Sequence, residues 1–144
     1  MKSVQCSEFI VPGKNTDKFG MYSFKKLPVW QKSIALVQYI YKEVVPKLPD
    51  SEKYVLVPQF TKAAISIPLN IAEGSGRYSK REFKQFLYIA RGSLYELITQ
   101  IEISLNLSYI DSKLYRELTE IIMEISGLLN GLINSLKEVK SNED

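Results

Sequence analysis

The chain has 144 residues, 45% of them apolar and 24% charged, with a formal net charge of +3. That is one domain's worth of sequence, able to bury a core without disulfides or metals. It contains no histidine, which excludes a Ser-His-Asp triad, an imidazole general base, and His-rich or Glu-x-x-His metal sites.

The lone Cys6 has no intramolecular partner, which points to a reducing, cytoplasmic setting. No run of about 18 apolar residues is available to cross a membrane. Lys2, Gln5, Ser7 and Glu8 interrupt any signal-peptide core at the N-terminus. No catalytic residue, cofactor or metal is predicted. The charge is uneven: residues 1–32 balance at +4, 33–73 at zero, 74–95 at +4 and 96–144 at −5. Either a basic end faces an anionic partner, or solvated charges happen to cluster.

Residues 1–23 show no sustained period and are broken by Pro12, Gly13, Asn15 and Gly20. They read as a mobile arm, or as sequence upstream of a start at Met21. A first helix is predicted from Pro28 to about Val45. Proline suits an early helical position, and Trp30, Ile34, Val37, Tyr41, Val44 and Leu48 recur in steps of three and four. Pro46 and Pro49 stop it. A second helix is predicted over Ser51 to Glu73, with Phe60, Ala63, Ala64, Ile67 and Ile71 on one face. Pro58 and Pro68 predict a bend in it, and Gly74 a left-handed stop.

Ser79-Lys80-Arg81-Glu82 has the form of a capping box and opens the third helix. Phe83, Phe86, Ala90, Leu94, Leu97, Ile101 and Leu105 carry its stripe to about Leu107. Asp111 is a good N-cap for the fourth, where Leu114, Leu118, Ile121, Ile125, Leu128, Leu132, Leu136 and Val139 form nearly a heptad seam. Residues 141–144 are expected to fray. Four helices with short connections must alternate in direction. The expected fold is therefore all-α, an antiparallel up-down-up-down four-helix bundle over residues 24–140.

Three features could carry function. Small residues at Ala63, Ala64, Ser66, Ala72, Gly92, Ser93, Gly127 and Gly131 allow close backbone approach, within one subunit or to a neighbour. A polar line of Gln59, Lys62, Ser66, Asn70, Glu73 and Arg77 follows the second helix. Asn70 and Glu73 are expected to hydrogen-bond the Gly74-Ser75-Gly76 turn. A carboxylate-lysine catalyst would need a pocket around Asn70, Glu73 and Arg77, which no spacing compels. The third helix carries Lys80, Lys84, Tyr88, Arg91 and Tyr95 on one face, beside Arg81 and Gln85. Cations interleaved with aromatic rings suit nucleic acid, phosphates being neutralised and unpaired bases stacked. Lys25 and Lys26 would extend that patch.

Three segments carry a resemblance: Phe24 to Trp30 (FKKLPVW), Gln59 to Gly74 (QFTKAAISIPLNIAEG) and Ala90 to Leu97 (ARGSLYEL). Together they resemble the bacterial four-helix-bundle family of 23S rRNA intervening-sequence proteins, related to the accessory variability determinant of diversity-generating retroelements. The likeness covers roughly residues 22–140. It implies a homopentameric barrel with a positively charged surface or channel. Carried over by position, the implied electropositive residues are Lys62, Arg77, Lys80, Arg81, Lys84 and Arg91. Where the family often has a basic pair after Gln-Leu, this chain has Phe60-Thr61-Lys62, one charge fewer. The expected function is non-enzymatic binding of RNA or DNA by an oligomer. The alternative is an adaptor that docks a larger enzyme such as a reverse transcriptase.

Overall fold

The computed structural model describes residues 22–137. Most of the expected arm, the tail at 141–144 and Val139 therefore lie outside the described residues. Among the described residues there are four α-helices: α1 (Pro28–Tyr39), α2 (Leu56–Ser75), α3 (Lys80–Asn106) and α4 (Ser112–Ser135). Each packs on its chain neighbours, and α1 closes the square against α4. This is the expected up-down-up-down bundle. Among the described residues, no helix is long and apolar enough to cross a membrane.

A short 3-10 turn, Ser23–Lys26, precedes α1, and Pro28 is the first residue of that helix. The α1 stripe is rotated from the expected one. Val29, Leu36, Tyr39, Ile40 and Val44 are buried, whereas Trp30, Ile34 and Val37 sit at the margin and Tyr41 is exposed. The helix is apolar over much of its circumference, so periodicity allowed two registers. Trp30 instead packs edge-on against Phe24, ring centroids 5.3 Å apart. Past Tyr39 the coil widens into a π turn, Ile40–Val44, and then tightens over Val45–Lys47. Pro46 explains the change, having no N–H to donate and a ring that crowds the preceding turn.

The second helix starts later than expected, because Asp50–Glu52 forms a separate 3-10 turn. Pro58 thus falls in the first turn of α2, where no intrahelical donor is required. Only Pro68 lies inside, and α2 runs unbroken from Leu56 through Ser75. Gly74 is not the left-handed stop. It is helical and buried, and the chain leaves α2 through Gly76 at φ −83°. Its smallness serves packing, since a Cβ there would lie 2.7 Å from Phe86 Cβ and 2.8 Å from Phe83 Cδ2.

Both expected N-caps form. Ser79 Oγ accepts from the Glu82 amide at 3.1 Å, and Asp111 Oδ1 accepts from the Leu114 amide at 2.8 Å. The deepest α4 residues are Leu118, Ile122, Ile125, Leu129 and Ile133, while Leu114, Ile121, Leu128, Leu132 and Leu136 flank the core. Polar contacts tie α1 to α4: Tyr39 donates to Glu117 at 2.6 Å, and Lys32 pairs with Glu124 at 3.1 Å. At the end where α3 meets α4, a hydrogen bond to Glu102 and that carboxylate's charge raise the Tyr115 hydroxyl pKa. Partial burial, then a hydrogen bond to Glu52, raises that of Tyr109.

The glycines separate into two kinds. Gly74→Ala should cost a net 1–2 kcal/mol, roughly, because the clash outweighs the gain in helix propensity. Gly92, whose Cβ would meet nothing within 4 Å, should gain up to about 1 kcal/mol as Ala. Urea unfolding at concentrations where the chain is monomeric checks both, and a stabilised Gly74→Ala variant would show slack around Phe83 and Phe86.

Candidate nucleic-acid interface

The α2–α3 junction is short because backbone and side chains satisfy each other there. Gly76 N–H donates to the Glu73 carbonyl at 3.2 Å, and Arg77 N–H to the Gly74 carbonyl at 3.1 Å. Ser75 Oγ donates to the Ala72 carbonyl at 2.7 Å. Asn70 does not brace this turn. Its amide points back along α2 and donates to Ser66 O at 2.7 Å and Ser66 Oγ at 3.0 Å. Glu73 does hold the turn, through its carbonyl and through a carboxylate 2.9 Å from the Arg77 guanidinium.

Alternation of the helices gathers distant cations at this end. Arg77 is exposed, and its guanidinium lies 4.7 Å from the Phe86 ring centroid. Lys80 and Arg81 occupy the exposed first turn of α3, with Lys84 half-buried one turn on. The turn before α1 brings in Lys25 and Lys26, and Lys137 follows the end of α4. Among the described residues, no carboxylate lies within ion-pairing distance of Lys80, Arg81 or Lys84. Such placement opposes helix stability: a helix N-terminus carries partial positive charge, so cations there cost about 0.3–1 kcal/mol each. Arg77, beyond the C-terminus of α2, is placed favourably by the same rule.

Further along α3, the Arg91 guanidinium sits 4.9 Å from the Tyr88 ring centroid and donates to Asn130 Oδ1 at 3.3 Å. Tyr88 remains 45% exposed, so one cation and one ring are held together toward α4. Lys80, Lys84, Tyr88 and Arg91 thus do share one side of α3.

Lys62 stands apart. It lines an open groove of about 610 Å³ between α2 and α3, with Gln59, Ser66, Ile89, Glu96 and Gln100. It lies roughly 20 Å along α2 from the junction, at 1.5 Å rise per residue. Glu96 lines the same groove. Ser66 Oγ and Ser93 Oγ meet at 2.8 Å in the groove floor. The buried Gln100 Oε1 has no partner among the described residues. The expected close approach through small residues is therefore real for Ala63, Ala64, Ser66 and Ser93. It fails within the subunit for Gly92, Gly127 and Gly131, where an added Cβ would meet nothing within 4 Å.

The periodic reading of the sequence passed over Tyr78. It is fully exposed, at 107% of the reference area, in the middle of the junction. Helical spacing gives such a residue no face, but an aromatic between Arg77 and Ser79-Lys80-Arg81 was a signal in its own right. Among the described residues, no group of three or more Cys, Asp or Glu side chains is placed to hold a metal ion.

Comparison with known proteins places this architecture. A crystal structure of a protein of unknown function from the S23 ribosomal protein family of Bacteroides thetaiotaomicron superposes with a TM-score of 0.64 at 26% identity, covering 73% of this chain and 97% of that one. No curated protein matches the chain. The sequence pattern of the 23S rRNA-intervening sequence protein family matches residues 25–131. With its four-helix fold and most of its length accounted for, the chain belongs to the 23S rRNA-intervening sequence protein family.

Proposed function

We propose that this chain is a non-enzymatic, cytoplasmic, RNA-associated protein that binds nucleic acid through the basic α2–α3 end of its bundle. The carrying observation is Lys80 and Arg81 at the N-terminus of α3, without a carboxylate partner among the described residues and unfavourable to their own helix. A bound phosphate reverses that sign, since helix N-terminal amides and cations both favour an anion. The family name speaks of a 23S rRNA intervening sequence, which agrees with RNA as the anion.

The same reading makes the working unit a ring of identical subunits, a homopentamer. Gly92, Gly127 and Gly131 support it, because a solvent-facing helical glycine costs about 1 kcal/mol against alanine and no packing within the subunit uses the space. Exposed Ile89, Tyr95, Ile103 and Met123 on α3 and α4 add apolar area for a neighbour. Repetition turns one modest basic end into a multivalent surface.

Affinity should be non-specific in sequence and fall about 10³–10⁵-fold between roughly 50 and 200 mM salt if some 6–10 phosphates are engaged. A gel-shift salt titration reads this, and binding indifferent to salt would rule the proposal out. Replacing Lys80, Lys84 and Arg91 by Ala should weaken every sequence alike and flatten the salt slope. The paired change Lys80→Glu with Arg81→Glu should abolish binding yet raise Tm by a few degrees, since carboxylates suit a helix N-terminus. A lowered Tm would show that these cations hold the fold. Light scattering should give about five times the 16.5 kDa subunit mass, reduced by Gly92→Leu or Gly127→Leu. A chain that binds no nucleic acid but is retained by a neighbouring reverse transcriptase would support the adaptor reading instead.

A further inference from the structure

We propose that Tyr78 is a stacking platform for an unpaired base, so that the preferred ligand of the basic end is single-stranded rather than duplex nucleic acid. The inference rests on the nucleic-acid reading above and names the ligand class of that site. Tyr78 is exposed at 107% of the reference area, so both faces of its ring are open. Three other exposed tyrosines are partly occupied: Arg91 lies against Tyr88, Lys25 is 4.6 Å from the Tyr22 ring centroid, and Lys53 is 5.6 Å from that of Tyr54. Tyr41 and Tyr95 carry no such cation among the described residues but are only 48% and 58% exposed. Tyr78 has no hydrogen bond, ion pair or ring contact among the described residues. Nothing in the fold requires an aromatic there.

The ring is nonetheless held on a rigid mount. The amides of Gly76 and Arg77 are committed to α2, Ser79 caps α3, and Gly74 is wedged against Phe83 and Phe86 just behind the turn. A ring presented by a fixed backbone loses little freedom when a flat partner covers it. The partner's charge is set by the neighbours: exposed Lys80 and Arg81 follow Tyr78 in the chain with no carboxylate in ion-pairing distance among the described residues, while Arg77 before it is already paired with Glu73 at 2.9 Å. A planar group with an anion beside it describes one nucleotide of a single strand, its base on the ring and a phosphate on Lys80 and Arg81. A continuous duplex cannot offer it, because its base faces are covered by their own neighbours. Sequence tolerance follows, since every base has a π-face.

The test uses the full chain, with fluorescence anisotropy on labelled oligouridine and on duplex RNA of equal length. Tyr78→Ala should weaken oligouridine binding by about 5- to 150-fold. Duplex binding and the salt slope should not change, and the thermal melt should be unaltered because the side chain touches nothing. Tyr78→Phe should retain binding, and Tyr78→Trp should retain it with fluorescence quenched by oligouridine. Unchanged oligouridine affinity in Tyr78→Ala overturns the proposal. So does an equal loss on both ligands, which would make Tyr78 a residue that shapes the turn. The Lys80→Glu/Arg81→Glu chain separates the two levels. If it loses both ligands while Tyr78→Ala loses neither, the electrostatic site stands and the stacking site falls. If the unaltered chain binds neither ligand, both fall.

Discussion

Two helix backbones approach as α2 and α3 do only where little side chain stands between them. Ala63, Ala64 and Ala90 are almost wholly buried along this seam, and Ser66 and Ser93 meet oxygen to oxygen. Gly74 completes it at the junction end, where even a methyl group would strike Phe83 and Phe86. Interiors packed at crystal-like density transmit such a constraint rather than absorb it. The seam fixes how far α2 runs and where α3 begins. It thereby fixes the position of the residues between them, Arg77 and Tyr78, and of the first turn of α3.

The consequence for charge is geometric. Residues 74–91 are already basic in sequence, but Lys25, Lys26 and Lys137 join them only because helix direction alternates. The same alternation sends Asp50, Glu52, Glu102, Asp111 and Glu117 toward the opposite end, where Lys42, Lys47, Lys53, Lys113 and Arg116 nearly balance them. The bundle's helix dipoles do not create this polarity. At the basic end the N-termini of α1 and α3 stand beside the C-termini of α2 and α4, so beyond the first turn of each helix the dipoles largely cancel. The longer-range field there comes from side chains, and salt screens side-chain charges exposed to solvent. The salt dependence expected of the proposed binding therefore follows from the architecture as much as from any ligand.

Helix number, direction and both side-chain N-caps were legible in the sequence because each rests on local chemistry: proline position, a capping hydroxyl or carboxylate, a period of 3.6. What depends on the third dimension was less so. The α1 stripe was misplaced because Trp30, Ile34 and Val37 offered a register as apolar as the true one, and only contact with the other helices decides between them. Gly74 read as a helix stop, since glycine near a helix end usually is one. Its actual reason lies nine and twelve residues away, in Phe83 and Phe86. Asn70 was assigned to a turn it does not touch. Among the basic residues, Lys62 kept the spacing of its line yet lies in a groove beside Glu96, because shared sequence register says nothing about the facing helix. Tyr78 escaped altogether, being in a turn where periodicity has no meaning.

The places where the fold disregards its own stability form a pattern. Lys80 and Arg81 repel the dipole of α3, Gly92 loosens its middle, and Tyr78 gives up the burial an aromatic ring normally seeks. Each is individually mild, and a surface tolerates such lapses singly. These fall on one helix and the turn that leads into it, and Gly127 and Gly131 repeat the glycine lapse on the adjoining α4. Meanwhile the opposite face of α3 is well packed, with Leu87, Ala90, Leu94, Leu97 and Ile101 buried. On the proposed reading, disregard of local rules along one side of a consistent element is the mark of a surface shaped by something outside the subunit. The cations and the ring at the tip suit a polyanion with flat bases. The glycine and exposed isoleucines further down suit another protein surface, and the two need not compete because they occupy different lengths of α3.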